Sequence, residues 1–308
     1  MGNRTAIESS PTIADMLRRD KTVGPAKFLT RGQMDTALRD AREGRRERLA
    51  TGWPTLDRYI SLLKEALYIV TGIPSHGKGA WTKALIYNTA IMHRWRWVVY
   101  APEDFPARYL MRHMVELVVG KPTYRASNGP EPMSDDEARG ASDFIDRHML
   151  ILDSTEEPLG LEAILTTTER AQQAGRVDAL LIDPWNQLEC TRPVSMTETD
   201  WIGAALNRCL RFAQSKKMSV WIVAHPRKLW KLDGGKYPVP DLGDISGSQH
   251  WYNRATFGLT VWRDFEEGHT EVHVKKVRFR HYGHPGVVRL HHDPWSGRFS
   301  EDGDGGSF

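Results

Sequence analysis

The stretch 71-TGIPSHGKGAWTKALIYNTA-90 decides how this chain is read. Gly72-Ile73-Pro74-Ser75-His76-Gly77-Lys78 matches GxxxxGK, follows the apolar run 67-LYIVTG-72 and opens a helical pattern. That strand, loop, helix order is the context in which such a loop cradles phosphate. There the loop amides and the first helical residues, through Gly79 and Ala80, point at phosphate oxygens, while the Lys78 ammonium reaches the outer ones. The pattern by itself also fits a tight turn with a surface lysine. Gly79 is the odd residue, because a Ser or Thr hydroxyl at that position ordinarily ligates Mg²⁺ beside the phosphates. Thr82, one turn on, should point along a different line and substitute poorly, which leaves a water to take the hydroxyl's place at a cost in metal affinity.

Outward from the loop, short apolar runs alternate with helical stretches. Strand-like runs are 67–72, 97-WVVYAPE-103, 149-MLILD-153, 178-DALLID-183, 219-SVWIVAH-225, 257-FGLTVWRD-264 and 270-TEVHVKKVRF-279. Helices are expected over 78–94, 104–118, 134–147, 160–174 and 200–216. This alternation predicts an α/β fold with a mostly parallel twisted sheet flanked by helices. The last two runs have no helix between them, which predicts an antiparallel edge ribbon. Residues 1–50 are polar and arginine-rich, and 31-RGQMDTALRDAREGRRERLA-50 has too thin an apolar face to anchor a core. They form a linker or helical arm, either solvated or packed on a neighbouring subunit. Residues 51–296 make the main domain, and 297–308 a disordered acidic, Gly-rich tail.

Composition narrows the class. Hydrophobic residues at 40% and charged residues at 26% are ordinary globular values. No run approaches the roughly 20 apolar residues of a membrane helix, and the N-terminus lacks a secretory pattern, so a cytoplasmic protein without a membrane partner is expected. Cys190 and Cys209 form no CxxC and no zinc framework. A net charge of +3 does not argue for nucleic acid, so a polyanion site has to come from local clustering. Eleven tryptophans are many, but Trp97, Trp221 and Trp262 sit in apolar runs that read as core.

Further candidates fall at the carboxyl ends of expected strands, where ligands bind in open α/β sheets. Asp183 ends 178–183 and would face a metal. Glu103 ends 97–103 and would polarise a water as general base. Each also fits a cap or turn at the sheet rim. His225 ends 219–225 and would hydrogen-bond a γ-phosphate. The long loop 226-PRKLWKLDGGKYPVPDLGDISGSQ-249 carries Arg227, Lys228, Lys231 and Lys236 around Trp230, a mixture that suits a single-stranded nucleic acid backbone, although the segment by itself reads better as a solvated charged loop. Lys276, Arg278 and Arg280, two residues apart, should share one strand face, and read either as a solvated edge strand or as cations for a neighbouring subunit's phosphate.

Taken together, TGWPTLD, TGIPSHGK, the strand ending APED, LLIDPWNQLE, IVAHPRKL, PVPDLGDISGSQHWYNRATFGLTVWRD and VHVKKVRFRHYGHPG resemble the RecA-like, P-loop NTPase motor domain of DnaB-type replicative DNA helicases, in the phage and mitochondrial Twinkle-like branch. The resemblance runs over roughly residues 51–296, in the family's order. It implies a homohexameric ring that hydrolyses ATP or another NTP with Mg²⁺ at subunit interfaces and moves along single-stranded DNA. It further implies that Lys78 binds phosphate, Glu103 activates water, Asp183 holds Mg²⁺ through water, and His225 reports the γ-phosphate to the loop beyond it. From the next subunit Arg278 would be the arginine finger, Lys276 its companion and Arg280 a second choice. The loop from Arg227 to Lys236, with the turn at Gly247 and Ser248, would face DNA.

The chain length leaves no room for a primase or zinc-binding domain ahead of the motor, so a separate primase or loader is expected. Gly79 departs from the family pattern and keeps two other readings open: a non-hydrolysing, nucleotide-dependent DNA-binding ring, and a RecA-like recombinase ATPase.

Overall fold

The structure, a computed structural model, describes residues 29–43, 48–189, 192–232, 235–247 and 249–301. Cys190, Ser248 and residues 302–308 lie outside this set, as do 1–28. The chain divides into two units, Met1–Glu47 and Arg48–Phe308. In the first, helix α1 (Arg31–Glu43) buries none of its residues, in keeping with its thin apolar face.

The second unit runs β1 (Leu67–Thr71), α2 (Lys78–His93), β2 (Trp97–Tyr100), α3 (Arg108–Val119), α4 (Asp135–His148), β3 (Met149–Ile151), α5 (Leu161–Ala174) and β4 (Ala179–Ile182). It continues α6 (Glu198–Lys216), β5 (Ser219–Val223), α7 (His250–Arg254), β6 (Phe257–Asp264), β7 (His269–Val277), β8 (Gly286–His292) and β9 (Phe299–Ser300). Among the described residues the strands form one sheet in the order β3-β2-β4-β5-β1-β6-β7-β8-β9. Pairing is parallel from β3 to β6 and antiparallel from β6 to β9.

Every residue of β1, β2, β4 and β5 is buried, because helices cover both faces of the parallel half. Alternate residues divide between two cores. Tyr68, Trp97 and Trp221 pack with Trp81 of α2, Leu110 of α3 and Ile145 of α4. Ile69, Val98 and Ile222 pack on the other face with Ile164 of α5 and Leu206 of α6. Neighbouring strands set Tyr68 face to face with Trp221, ring centroids 3.8 Å apart, and 4.7 Å from Phe257. Trp97, Trp221 and Trp262 are all buried, as the core reading expects. Truncating Trp221 to Ala would cost about 3–5 kcal/mol.

Two boundaries differ from expectation. The antiparallel part is larger than an edge ribbon, since β8 and β9 extend it. Residues 297–301 belong to it and not to a tail: Phe299 is buried, its carbonyl accepts from Trp53 Nε1 at 2.9 Å, and Glu301 accepts from Thr55 N–H at 2.6 Å. Those anchors lie far away in sequence, out of reach of local composition.

Candidate nucleotide-binding site

The sheet order places β1 between β5 and β6, so the loops leaving β1, β2, β4 and β5 meet at one rim. Gly72 leaves β1 at φ 152°, and a Cβ there would stand 2.1 Å from the Val261 carbonyl oxygen of β6. Only glycine fits so near the neighbouring strand. The loop then turns through Pro74 and Ser75, both exposed, to Gly77, which is left-handed at φ 91° and opens the 16-residue α2. Its N–H groups and positive end face the rim.

Lys78 is buried, and its Nζ donates to the Gly72 carbonyl at 2.8 Å and the Ile73 carbonyl at 3.1 Å. Burial lowers its pKa to about 8, against the pull of Asp183 and Glu103. The lysine is thus poised beneath the loop with two carboxylates near it and, among the described residues, no ion pair to break. Asp183 is buried just past β4, and its carboxyl is pushed up by burial, with Lys83 and Lys78 pulling the other way. Glu103 sits in the short turn Pro102–Asp104 after β2, half-exposed, 3.9 Å from His225 Nε2 just past the end of β5. Burial and Lys78 lower the His225 pKa, so the ring is neutral at neutral pH, while its Nδ1 is buried without a hydrogen-bond partner among the described residues.

Thr82 corrects one expectation. Its Oγ1 lies 3.5 Å from Asp183 Oδ2 while donating to the Gly79 carbonyl at 3.0 Å, so it faces the carboxylate. One helical turn brings it there because α2 begins directly at Lys78. No group of three or more His, Cys, Asp or Glu able to hold a metal occurs among the described residues. Asp183 and Thr82 nevertheless fit Mg²⁺, which takes one or two protein ligands beside a nucleotide and fills the rest with water and phosphate oxygens.

The long loop holds its cations unequally. Arg227 pairs with Asp244 at 3.4 Å, and Lys236 bridges Asp264 at 2.9 Å and Glu266 at 2.8 Å. Lys228 lies 4.7 Å over the ring of Trp230, itself 75% exposed, and Lys231 lies 5.4 Å over Tyr237. Lys228, Trp230 and Lys231 therefore form the open part. Gly247 at φ 92° turns against α6: Thr199 Oγ1 donates to its carbonyl at 2.8 Å, and a Cβ would strike Ile202 at 2.5 Å.

No protein-family model matches the chain. It is 30% identical over 273 residues to the Twinkle homolog protein, chloroplastic/mitochondrial, of Arabidopsis thaliana, across 86% of this chain and 38% of that protein. Among solved structures it resembles an isolated ATPase domain (TM-score 0.73, 17% identity, 88% of this chain and 99% of that one). It also resembles a DnaB-like replicative helicase described with its interactions with primase (TM-score 0.71, 16% identity, 94% and 71% of the chains). By sequence this chain is similar to a Twinkle homolog, and by fold to DnaB-like replicative helicases. Its fold is the RecA-like ATPase core, and it spans about 38% of the length of its plant relative.

In this chain the three expected trans cations do not share a strand face. β7 ends at Val277, and the chain turns over Phe279–Tyr282, where Tyr282 N–H donates to the Phe279 carbonyl at 2.9 Å. Lys276 donates to the Tyr252 carbonyl, and Arg278 to the carbonyls of Asn253 and Ala255, so both tie down the end of α7. Arg280, beyond the strand, is exposed, and its side chain makes no hydrogen bond or ion pair among the described residues.

Sequence reading also missed how the loop is anchored. The His76 ring is buried, its Nδ1 accepts from Arg263 N–H of β6 at 3.0 Å, and burial, Lys78 and Arg263 hold its pKa down to about 4. Arg263 Nη2 is buried near Gly77 without a hydrogen-bond partner among the described residues. His76, Arg263, Trp262, Tyr237, Lys231 and Lys236 line a cavity of about 270 Å³ beside the loop. A histidine at the turn and an arginine in an apolar strand gave no pattern that pairs them.

Proposed function

We propose that this chain is an ATP- or NTP-hydrolysing helicase motor that moves on single-stranded DNA as a homo-oligomeric ring, with α1 and its flanks as an arm toward a neighbour. One observation carries the reading: Lys78, Glu103, Asp183 and His225 come from four different loops and meet at one rim of the parallel sheet. The loop amides and Lys78 hold the phosphates. Glu103 takes the proton of the attacking water, and neutral His225 beside it links the γ-phosphate to the DNA loop. Asp183 and Thr82 would hold Mg²⁺, which neutralises charge on the phosphates when bound.

The cation from the next subunit comes from the Lys276–Arg280 segment. Lys276 and Arg278 already donate to α7, which leaves Arg280 to reach across. Lys228, Trp230 and Lys231 contact the DNA backbone and bases. A separate primase or loader is a natural partner, since the DnaB-like neighbour is described with its primase interactions.

The test is hydrolysis stimulated by single-stranded DNA, with strand separation measured alongside. Stimulated hydrolysis lost in Lys78→Met supports the motor, and no hydrolysis despite tight nucleotide binding contradicts it. Gly79 favours a second reading, a ring that binds nucleotide and DNA without turnover, and that same outcome would support it. Mixed rings of Arg280→Ala with Glu103→Gln subunits test the trans cation: hydrolysis by mixed rings alone supports a shared site. A RecA-like recombinase would instead form open filaments on DNA, visible by electron microscopy.

A further inference from the structure

Lys83 has no part in the reading above, yet its placement is unusual. A lysine in the second turn of a helix ordinarily reaches solvent, but this side chain is only 4% exposed. Its ammonium lies 2.6 Å from Asp104 Oδ2 and 3.4 Å from the Gly79 carbonyl oxygen. A Cβ built on Gly79 would stand 3.2 Å from Lys83 Nζ and 3.3 Å from Asp183 Oδ2. The space that a serine or threonine side chain fills in an ordinary phosphate loop is therefore bordered by an ammonium on one side and a buried carboxylate on the other. Any side chain at position 79 would press on both.

A buried ammonium is stable only with anionic partners, and here they are Asp104 by direct contact and Asp183 across the space over Gly79. Three carboxylates, Glu103, Asp104 and Asp183, thus face two ammoniums, Lys78 and Lys83. With a neutral residue at position 83, only Lys78 would remain among these ammoniums, and the rest of the positive charge for the carboxylates and an arriving triphosphate would have to come from a divalent ion. A hydroxyl at 79 would help hold that ion. This chain has room in place of the hydroxyl, and a fixed positive charge stands at the edge of that room.

We propose that Gly79 and Lys83 work as a pair: the bare glycine admits the Lys83 ammonium to the Asp104 and Asp183 carboxylates, where it supplies part of the charge of Mg²⁺ and makes nucleotide binding only weakly dependent on divalent metal. Lys83 is a positioning residue, one that compensates charge through the carboxylates. The proposal rests on the nucleotide reading of this same loop.

The test is equilibrium binding of a fluorescent ADP to the full chain, with excess Mg²⁺ and with EDTA. The wild type should lose less than about tenfold in affinity on metal removal, and Lys83→Met about a hundredfold or more, since the lost charge then falls to the metal alone. Gly79→Ser keeps the lysine but crowds it, and should raise metal dependence by a smaller factor. If Lys83→Met does not fold, the wild-type ratio and Gly79→Ser still decide. A wild type that loses a hundredfold without Mg²⁺, or equal ratios in wild type and Lys83→Met, overturns the proposal and leaves the nucleotide site standing. No ADP binding by the wild type in either condition overturns the nucleotide reading and this proposal with it. Binding lost in Lys78→Met ties the signal to this loop.

Discussion

The rim at the ends of β1, β2, β4 and β5 and the loop from Arg227 to Gln249 both gather charge, and they hold it in opposite ways. At the rim Lys78, Lys83 and Asp183 are buried, so each charge has fixed neighbours and a perturbed or paired state. In the loop, Lys228 and Lys231 rest on exposed or half-exposed aromatic rings, while Arg227 and Lys236 are neutralised within the chain. Burial makes charge specific, and exposure makes it adaptable. A chemical site needs the first, and a surface that slides along a polyanion needs the second.

The largest effect should come from the rim. Lys78→Met removes a buried cation that no neighbour replaces, and nucleotide affinity should fall by at least about a hundredfold, read by titration with fluorescent ADP. Retained affinity would make the rim no more specific than the loop.

Acidification should sharpen the same contrast. His76, His113 and His292 are each held down to about 4 from 6.5, chiefly by burial. Between those values the unfolded chain binds more protons than the folded one, so stability is full above pH 6.5 and falls as pH drops toward about 4. The melting temperature should decline across that window. His76→Asn, which keeps a side-chain acceptor for Arg263 N–H, should flatten the decline, and an unchanged profile would remove His76 as a neutral anchor of the phosphate loop.

The smallest effects belong to the loop. Lys231→Ala should weaken single-stranded DNA binding a few-fold and lower the slope of log affinity against log salt by about one. Lys236→Ala should change neither, because its ammonium is already paired with Asp264 and Glu266. Equal salt slopes for the two variants would break the distinction between free and neutralised cations.

Much of this was legible in the chain. The five helices and the parallel strands follow from apolar runs and helical periodicity, since in a sheet covered on both faces each strand is a short continuous hydrophobic run. The places of Glu103, Asp183 and His225 were legible because each follows such a run, and the sheet order brings those ends together. What escaped reading depends on partners far apart in sequence. Phe299 belongs to the core through Trp53, and Lys236 is held by Asp264. The strand carrying Lys276 stops before Arg278 because the segment ties down the end of α7. Lys83 reads as one more surface lysine until the bare Gly79 and the two carboxylates are seen around it.

In the proposed motor the rim separates binding from chemistry, with Lys78 and the loop amides holding nucleotide and Glu103 acting on water. Glu103→Gln, compared with the wild type for ADP affinity and for DNA-stimulated hydrolysis in one preparation, separates the two roles. The predicted result is affinity within about threefold of wild type and turnover lower by about a hundredfold or more. Wild-type turnover in Glu103→Gln, or a matching loss of affinity, would contradict it.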